Sequence, residues 1–215
     1  MAVTDTPATA DTTAEPTGTE ERLALPGEPA ALELARPRGI SPLAMALVVT
    51  GEYMLLGALV AALYALRAEA FVWPPKGASL GTYLPSMVAI TMVMSAVSVQ
   101  WAVWGIRRND QRTCLVGIGF TLFMAFAILN GQWYELVHLK FDIGAHAYGT
   151  FVYVLTGFHM VQVMLGIVLL VAVLVRAVGA EFTADDHDSV TTAAIFWQFA
   201  NVAGLVAFGV LFAHP

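Results

Sequence analysis

Glu52 stands near the middle of PLAMALVVTGEYMLLGALVAALYALR, Pro42 to Arg67, a run that is otherwise almost wholly apolar. As a helix, Pro42 to Leu66 is about 37 Å long, which puts Glu52 roughly 15 Å in, close to a bilayer midplane. A charged side chain there costs about 3 kcal/mol or more, so it needs a partner or a task. The same question attaches to His159, which lies deep in a later apolar run and shares one helix face with Thr156, Gln162 and Gly166. Other runs carry Thr91, Ser95 and Ser98; Asn130, Gln132 and Glu135; and Gln198 and Asn201, again at helical spacing. In lipid such faces must look at other helices or at water. Two chemistries fit these residue types. One is ion-coupled transport through Glu52 and His159. The other is an interior held together by hydrogen bonds between helices.

Metal chemistry fits poorly. An axial haem pair needs two deep histidines, and of His138, His146, His159, His187 and His214 only His159 is deep. Cys114 is the only cysteine, so neither an intrachain disulfide nor a cysteine metal cluster is expected. No phosphate-binding loop is present, and no Ser-His-Asp or Cys-His set shares a depth in the membrane. Transporters of this size commonly show repeats and helices broken at mid-depth. No repeat is visible here, and Pro85, near the start of the second run, is the only proline well within any of the five.

The elements that must position these residues follow from composition. The chain is 58% hydrophobic and 12% charged, with a mean hydropathy of +0.72. A soluble domain carries about 25% charged residues. The expected fold is therefore all-α, an integral membrane bundle of five transmembrane helices near 42–66, 81–106, 114–138, 147–177 and 190–213. Ser41 is the expected cap of the first helix, with Pro42 at its first position. The stretch WPPKGASLG supplies a turn and an interfacial aromatic, Trp73.

Two domains are expected, a leader over 1–38 and a membrane domain over 39–215. The leader is acidic and rich in Thr, Ala and Pro, a composition expected to be disordered, with one marginal helix near Glu28 to Leu34. Further acid lies in EFTADDHD, and no basic patch is interleaved with aromatics, so nucleic acid is not an expected partner. Arg36, Arg38, Arg107, Arg108, Arg112 and Arg176 fall on one side of an alternately threaded chain, against Arg67, Lys76 and Lys140 on the other. The imbalance predicts a cytoplasmic N-terminus and a C-terminus outside.

Several motifs then line up in order: GEYMLLG with Glu52; Trp73, Pro74 and Pro75; QWAVWGIRRNDQR; GQWYELVHL with Glu135; Tyr148 and Gly149; and Thr156 to His159. From residue 43 to residue 213 the chain resembles subunit III of the haem–copper respiratory oxidases, in its five-helix bacterial form. It departs from that pattern in the last two helices. Gln162 and Gln198 stand where the family has His, Asn201 where it has Asp, and Thr191 where it has Glu. Each replacement keeps a hydrogen-bonding group and loses a titratable one. Neutralising a whole set avoids the penalty of stripping one partner from a buried ion pair.

The resemblance implies a non-catalytic subunit of a proton-pumping cytochrome c oxidase in the bacterial plasma membrane. It implies no haem or copper on this chain, with both in partner subunits, and bound phospholipid. Subunits I and II are the implied partners, with a small subunit IV and a cytochrome bc complex as further candidates. Glu52 becomes a buried carboxyl linked either to proton uptake or to packing alone. Glu135, His159, Gln162, Thr191, Gln198 and Asn201 become one interior polar network, and Arg67, Trp73 and Arg107 the lipid-headgroup contacts. The alternatives are an accessory subunit of a nitric oxide reductase, a small ion-coupled transporter using Glu52, and a scaffold of some other membrane complex.

Overall fold

The computed structural model describes residues 39–75, 78 and 80–213. The leader over 1–38 with its marginal helix, Lys76 and His214 lie outside the described residues. Five helices follow one another: α1 (Ile40–Glu69), α2 (Tyr83–Arg107), α3 (Gln111–Val137), α4 (Ala147–Val178) and α5 (Asp188–Phe208). α5 runs on into a wider π-helical turn, Gly209–Ala213. All five are long and apolar enough to cross a membrane, and no strand occurs among the described residues. Helices are the economical solution here, because each satisfies its backbone polar groups internally.

The helix ends show where side-chain chemistry acts. Ser41 does not cap α1. The helix starts at Ile40, and its N-cap is Gly39, in the left-handed region at φ 85°. Only glycine adopts that conformation without strain. The orphan amide of Gly39 donates to Asp188 Oδ2 at 2.6 Å, which ties the start of α1 to the start of α5. α3 is capped by Asp110, which accepts from the Thr113 amide at 3.1 Å. Hydrogen bonds from the Thr113 hydroxyl and then its amide hold the Asp110 carboxyl below the usual carboxylate range. The stabilisation this cap provides is present above the ordinary carboxylate pKa and is lost as pH falls through the lowered one.

α2, α3, α4 and α5 form a ring in which each packs on the next and α5 closes back on α2. α1 stands outside that ring, leaning chiefly on α5. Its buried apolar residues are Val49, Leu56 and Leu63, one every seven positions, a single narrow seam. The ring is closer. A Cβ on Gly117 of α3 would lie 2.8 Å from Ala102 Cβ and 3.0 Å from Ala102 backbone atoms on α2. Beside it the Ser98 hydroxyl donates to the Gly117 carbonyl at 3.0 Å, and Thr121 donates to Ser98 Oγ at 3.1 Å. Small residues let the backbones approach, and hydroxyls then bond across the gap.

One end is fastened by Arg176, which reaches Glu181 at 2.8 Å and Ser189 at 2.7 Å and lies over the Phe182 ring at 4.8 Å. Phe182 is buried, and its carbonyl accepts from Gln111, so the α4–α5 loop is tied down against the start of α3.

The α2–α3 approach gives a direct test. Gly117→Ala should destabilise the fold by about 1–3 kcal/mol through overpacking. Gly119→Ala, where an added Cβ meets nothing within 4 Å, should be close to neutral. The denaturation midpoint of each variant in mild detergent reads the difference.

Candidate functional site

Glu52 falls on the α1 seam, three residues after Val49 and four before Leu56, so helical spacing turns it toward the ring. It is half-buried, and its Oε2 accepts a hydrogen bond from Gln162 Nε2 of α4 at 2.8 Å. Gln162 is fully buried, and its own carbonyl oxygen has no partner among the described residues. This bond joins the peripheral helix to the ring. Removing one partner of a part-buried polar pair strands the other, which costs more than removing both.

His159 lies one turn along the same α4 face and is also buried. Its Nδ1 meets Gln132 Nε2 of α3 at 2.6 Å, and its Nε2 meets the Ala200 carbonyl of α5 at 3.0 Å. With a carbonyl on Nε2, that nitrogen carries the proton, and Nδ1 accepts from the Gln132 amide. One imidazole therefore links three helices. Gly204 makes the approach possible, since a Cβ there would come within 2.5 Å of His159 Nε2.

A third cluster joins α5 to α2. Ser95 Oγ donates to Asn201 Oδ1 at 3.1 Å, and Trp197 Nε1 donates to Ser95 Oγ at 3.2 Å. Gln198 Nε2 donates to the Ala96 carbonyl at 2.9 Å. Trp197 fits because Gly166 of α4 leaves space for its ring, which a Cβ would invade to 2.6 Å.

The six residues expected to form one interior network are thus distributed among separate clusters. Gln162 goes with Glu52, His159 with Gln132, and Gln198 and Asn201 with α2. Glu135 is half-buried and shares a small cavity with Gln132 and His159. Thr191 is half-buried on the wall of a groove between α1, α2 and α5, which Gln198 also lines. Helix ends keep them apart, because a residue's position along its span sets its depth and hence its possible partners.

Of the three headgroup candidates, Arg107 lines that same groove, whose volume is about 440 Å³. Arg67 is half-buried in the last turn of α1, at the other end of that helix. The Trp73 ring packs edge-on against Tyr148 at 5.2 Å.

Three contributors stood outside the expected site, although Gln132 lay on a face already read as polar. Gln132 is the partner of His159, Trp197 bridges to Ser95, and Gly204 sets the closeness of α5 to α4. The Ala200-to-Gly204 spacing was a signal for the last, since small residues four apart mark close helix approach.

The class is then clear: a five-span membrane bundle whose interior polar groups bond helix to helix, with no cluster of His, Cys, Asp or Glu placed to hold a metal among the described residues. Residues 35–214 match the family described as cytochrome c oxidase subunit III, and the chain belongs to that family. It is 28% identical to cytochrome c oxidase subunit 3 of Thermostichus vulcanus over 79% of this chain and 85% of that one. It is 32% identical to the Synechocystis protein of the same name, over 63% of this chain and 59% of that one. The probable cytochrome c oxidase subunit 3 of Nocardia farcinica is 27% identical over 76% of this chain and 83% of its own. Membership implies association with other oxidase subunits in a membrane.

The Glu52–Gln162 bond yields a double-mutant prediction. Gln162→Leu alone should cost about 1–3 kcal/mol by leaving the carboxyl without its donor. The Glu52→Leu, Gln162→Leu pair should cost less than the sum of the two single changes. Thermal midpoints of the purified complexes supply all four corners of the cycle.

Proposed function

We infer that this chain serves as the non-catalytic subunit III of a proton-pumping haem–copper oxidase that reduces O₂ to water. In this reading it braces the catalytic subunit, holds phospholipid and supports proton uptake. Haem and copper belong to partner subunits I and II. A small subunit IV and a cytochrome bc complex are further partners, and the N-terminus faces the bacterial cytoplasm.

The observation that carries the supporting role is the Glu52–Gln162 bond on α1, the helix least engaged with its own bundle. A half-buried carboxyl on such a helix supports this reading, because intramembrane carboxyls commonly belong to proton paths. The groove between α1, α2 and α5 supports the phospholipid reading. Val49, Val103 and Phe199 line it for an acyl chain, and Arg107 stands at its end for a phosphate. The orientation rests on the excess of Arg on the side of Arg107 and Arg176.

Purification of the tagged chain in mild detergent tests this reading. Haem a absorbance should travel with it in stoichiometric amount, and its absence would sink the oxidase assignment. Ion uptake by the purified chain alone in liposomes would point instead to transport through Glu52. Arg107→Ala should lower the phospholipid retained by the complex, read by native mass spectrometry, without loss of haem.

A further inference from the structure

At the end of α3 remote from Asp110, two hollows lie on either side of one carboxylic acid. The inner one, about 30 Å³, is lined by Gln132, Glu135, Thr156 and His159 together with apolar residues that include Met92. The outer one, about 420 Å³, is lined by Glu135 with His138, Lys140, Tyr134 and Tyr83. Glu135 and Pro85 are the residues the two hollows share.

The inner hollow has a mostly apolar wall into which four polar residues are set, and one of these is incompletely satisfied. Gln132 is buried, and its amide nitrogen is committed to His159 Nδ1. Its carbonyl oxygen, Oε1, has no hydrogen-bond partner among the described residues. An orphaned buried acceptor costs about 1–3 kcal/mol, so native structures seldom leave one unpaired. A water molecule needs roughly 10–15 Å³ of such space and two to four polar partners. The hollow exceeds that volume, and Gln132, Glu135 and Thr156, which among them carry both acceptors and a donor, line it. His159 offers no further site, since both its ring nitrogens are taken.

We propose that this hollow is a permanent water site hydrogen-bonded to Gln132 Oε1, and that Glu135 is the port through which its water exchanges with the outer vestibule. The site is separate from Glu52, which lies on α1 and pairs with Gln162. The water completes the hydrogen bonding of Gln132 and so steadies the amide that orients His159. His138 lines the outer hollow, where its Nδ1 donates to the Tyr134 carbonyl at 2.8 Å and its ring stacks on Tyr134 at 3.9 Å. The proposal does not depend on the lipid or proton-uptake roles inferred above.

The test is X-ray radiolytic labelling of the intact detergent-solubilised complex, in which hydroxyl radicals born from bound water mark buried neighbours. Met92 is 2% exposed and lines the hollow, whereas Met160 is 8% exposed and does not. Met92 should be oxidised severalfold faster than Met160 although it is the more buried. Equal labelling of the two, or slower labelling of Met92, means a dry hollow and overturns the water site. That comparison uses the unaltered protein and needs no variant to fold. Rapid mixing from H₂¹⁸O into ordinary water then times the exchange at Met92. Glu135→Leu should slow the loss of ¹⁸O severalfold, while Glu135→Gln should leave it nearly unchanged. Exchange indifferent to Glu135→Leu would overturn the port.

Discussion

The constraint on which the rest depends is that hydrocarbon offers no hydrogen bonds. Each polar side chain inside a span must find its partner on another helix or on a trapped water. The partners found here therefore define which helices touch and where. His159 takes one bond from α3 and gives one to α5, Ser95 and Trp197 tie α2 to α5, and Ser98 and Thr121 tie α2 to α3. Pairs of this kind are worth about 1 kcal/mol each, because the separated helices would find other partners. Their larger effect is on register, since a helix shifted by one turn would bury an unpaired amide or carbonyl.

Small residues set the distances at which those bonds can form. Gly117 lets α3 reach the carbonyl-to-hydroxyl contact with Ser98, Gly204 admits the His159 ring, and Gly166 admits the Trp197 ring. Polar reach and backbone approach therefore come as matched pairs on facing helices. α1 lacks such a set. Its seam has one buried apolar residue every two turns, with the Glu52 bond at mid-helix and the Gly39–Asp188 bond at its start. A helix held so lightly leaves a groove beside it and much of its surface for other occupants of the membrane. This is consistent with a subunit whose place is beside other oxidase subunits.

Gln162, Gln198 and Asn201 acquire a physical reading from these clusters. Gln162 serves Glu52, Gln198 serves a backbone carbonyl, and Asn201 serves Ser95, all without a formal charge. Amides are suited to this because each carries both a donor and an acceptor. They also leave remainders: Gln162 Oε1, Gln132 Oε1 and Asn201 Nδ2 are buried without partners among the described residues. Such remainders are where water enters the account of a dry bundle.

Composition and apolar run length sufficed for the class, the number of spans and their approximate limits, because a bilayer demands about 20 apolar residues per crossing whatever the neighbours are. The motifs around Glu52, Trp73, Glu135 and His159 sufficed for the family. Helical spacing also showed which faces were polar. It did not show which face met which, because spacing along one helix carries no information about the rotation and height of another. The pairing of Glu52 with Gln162, of His159 with Gln132, and of the Gly39 amide with Asp188 across 149 positions were decided by how the five helices pack. So was the division of one expected network into several clusters, since hydrogen bonds reach only about 3 Å and the helices fix each residue's depth.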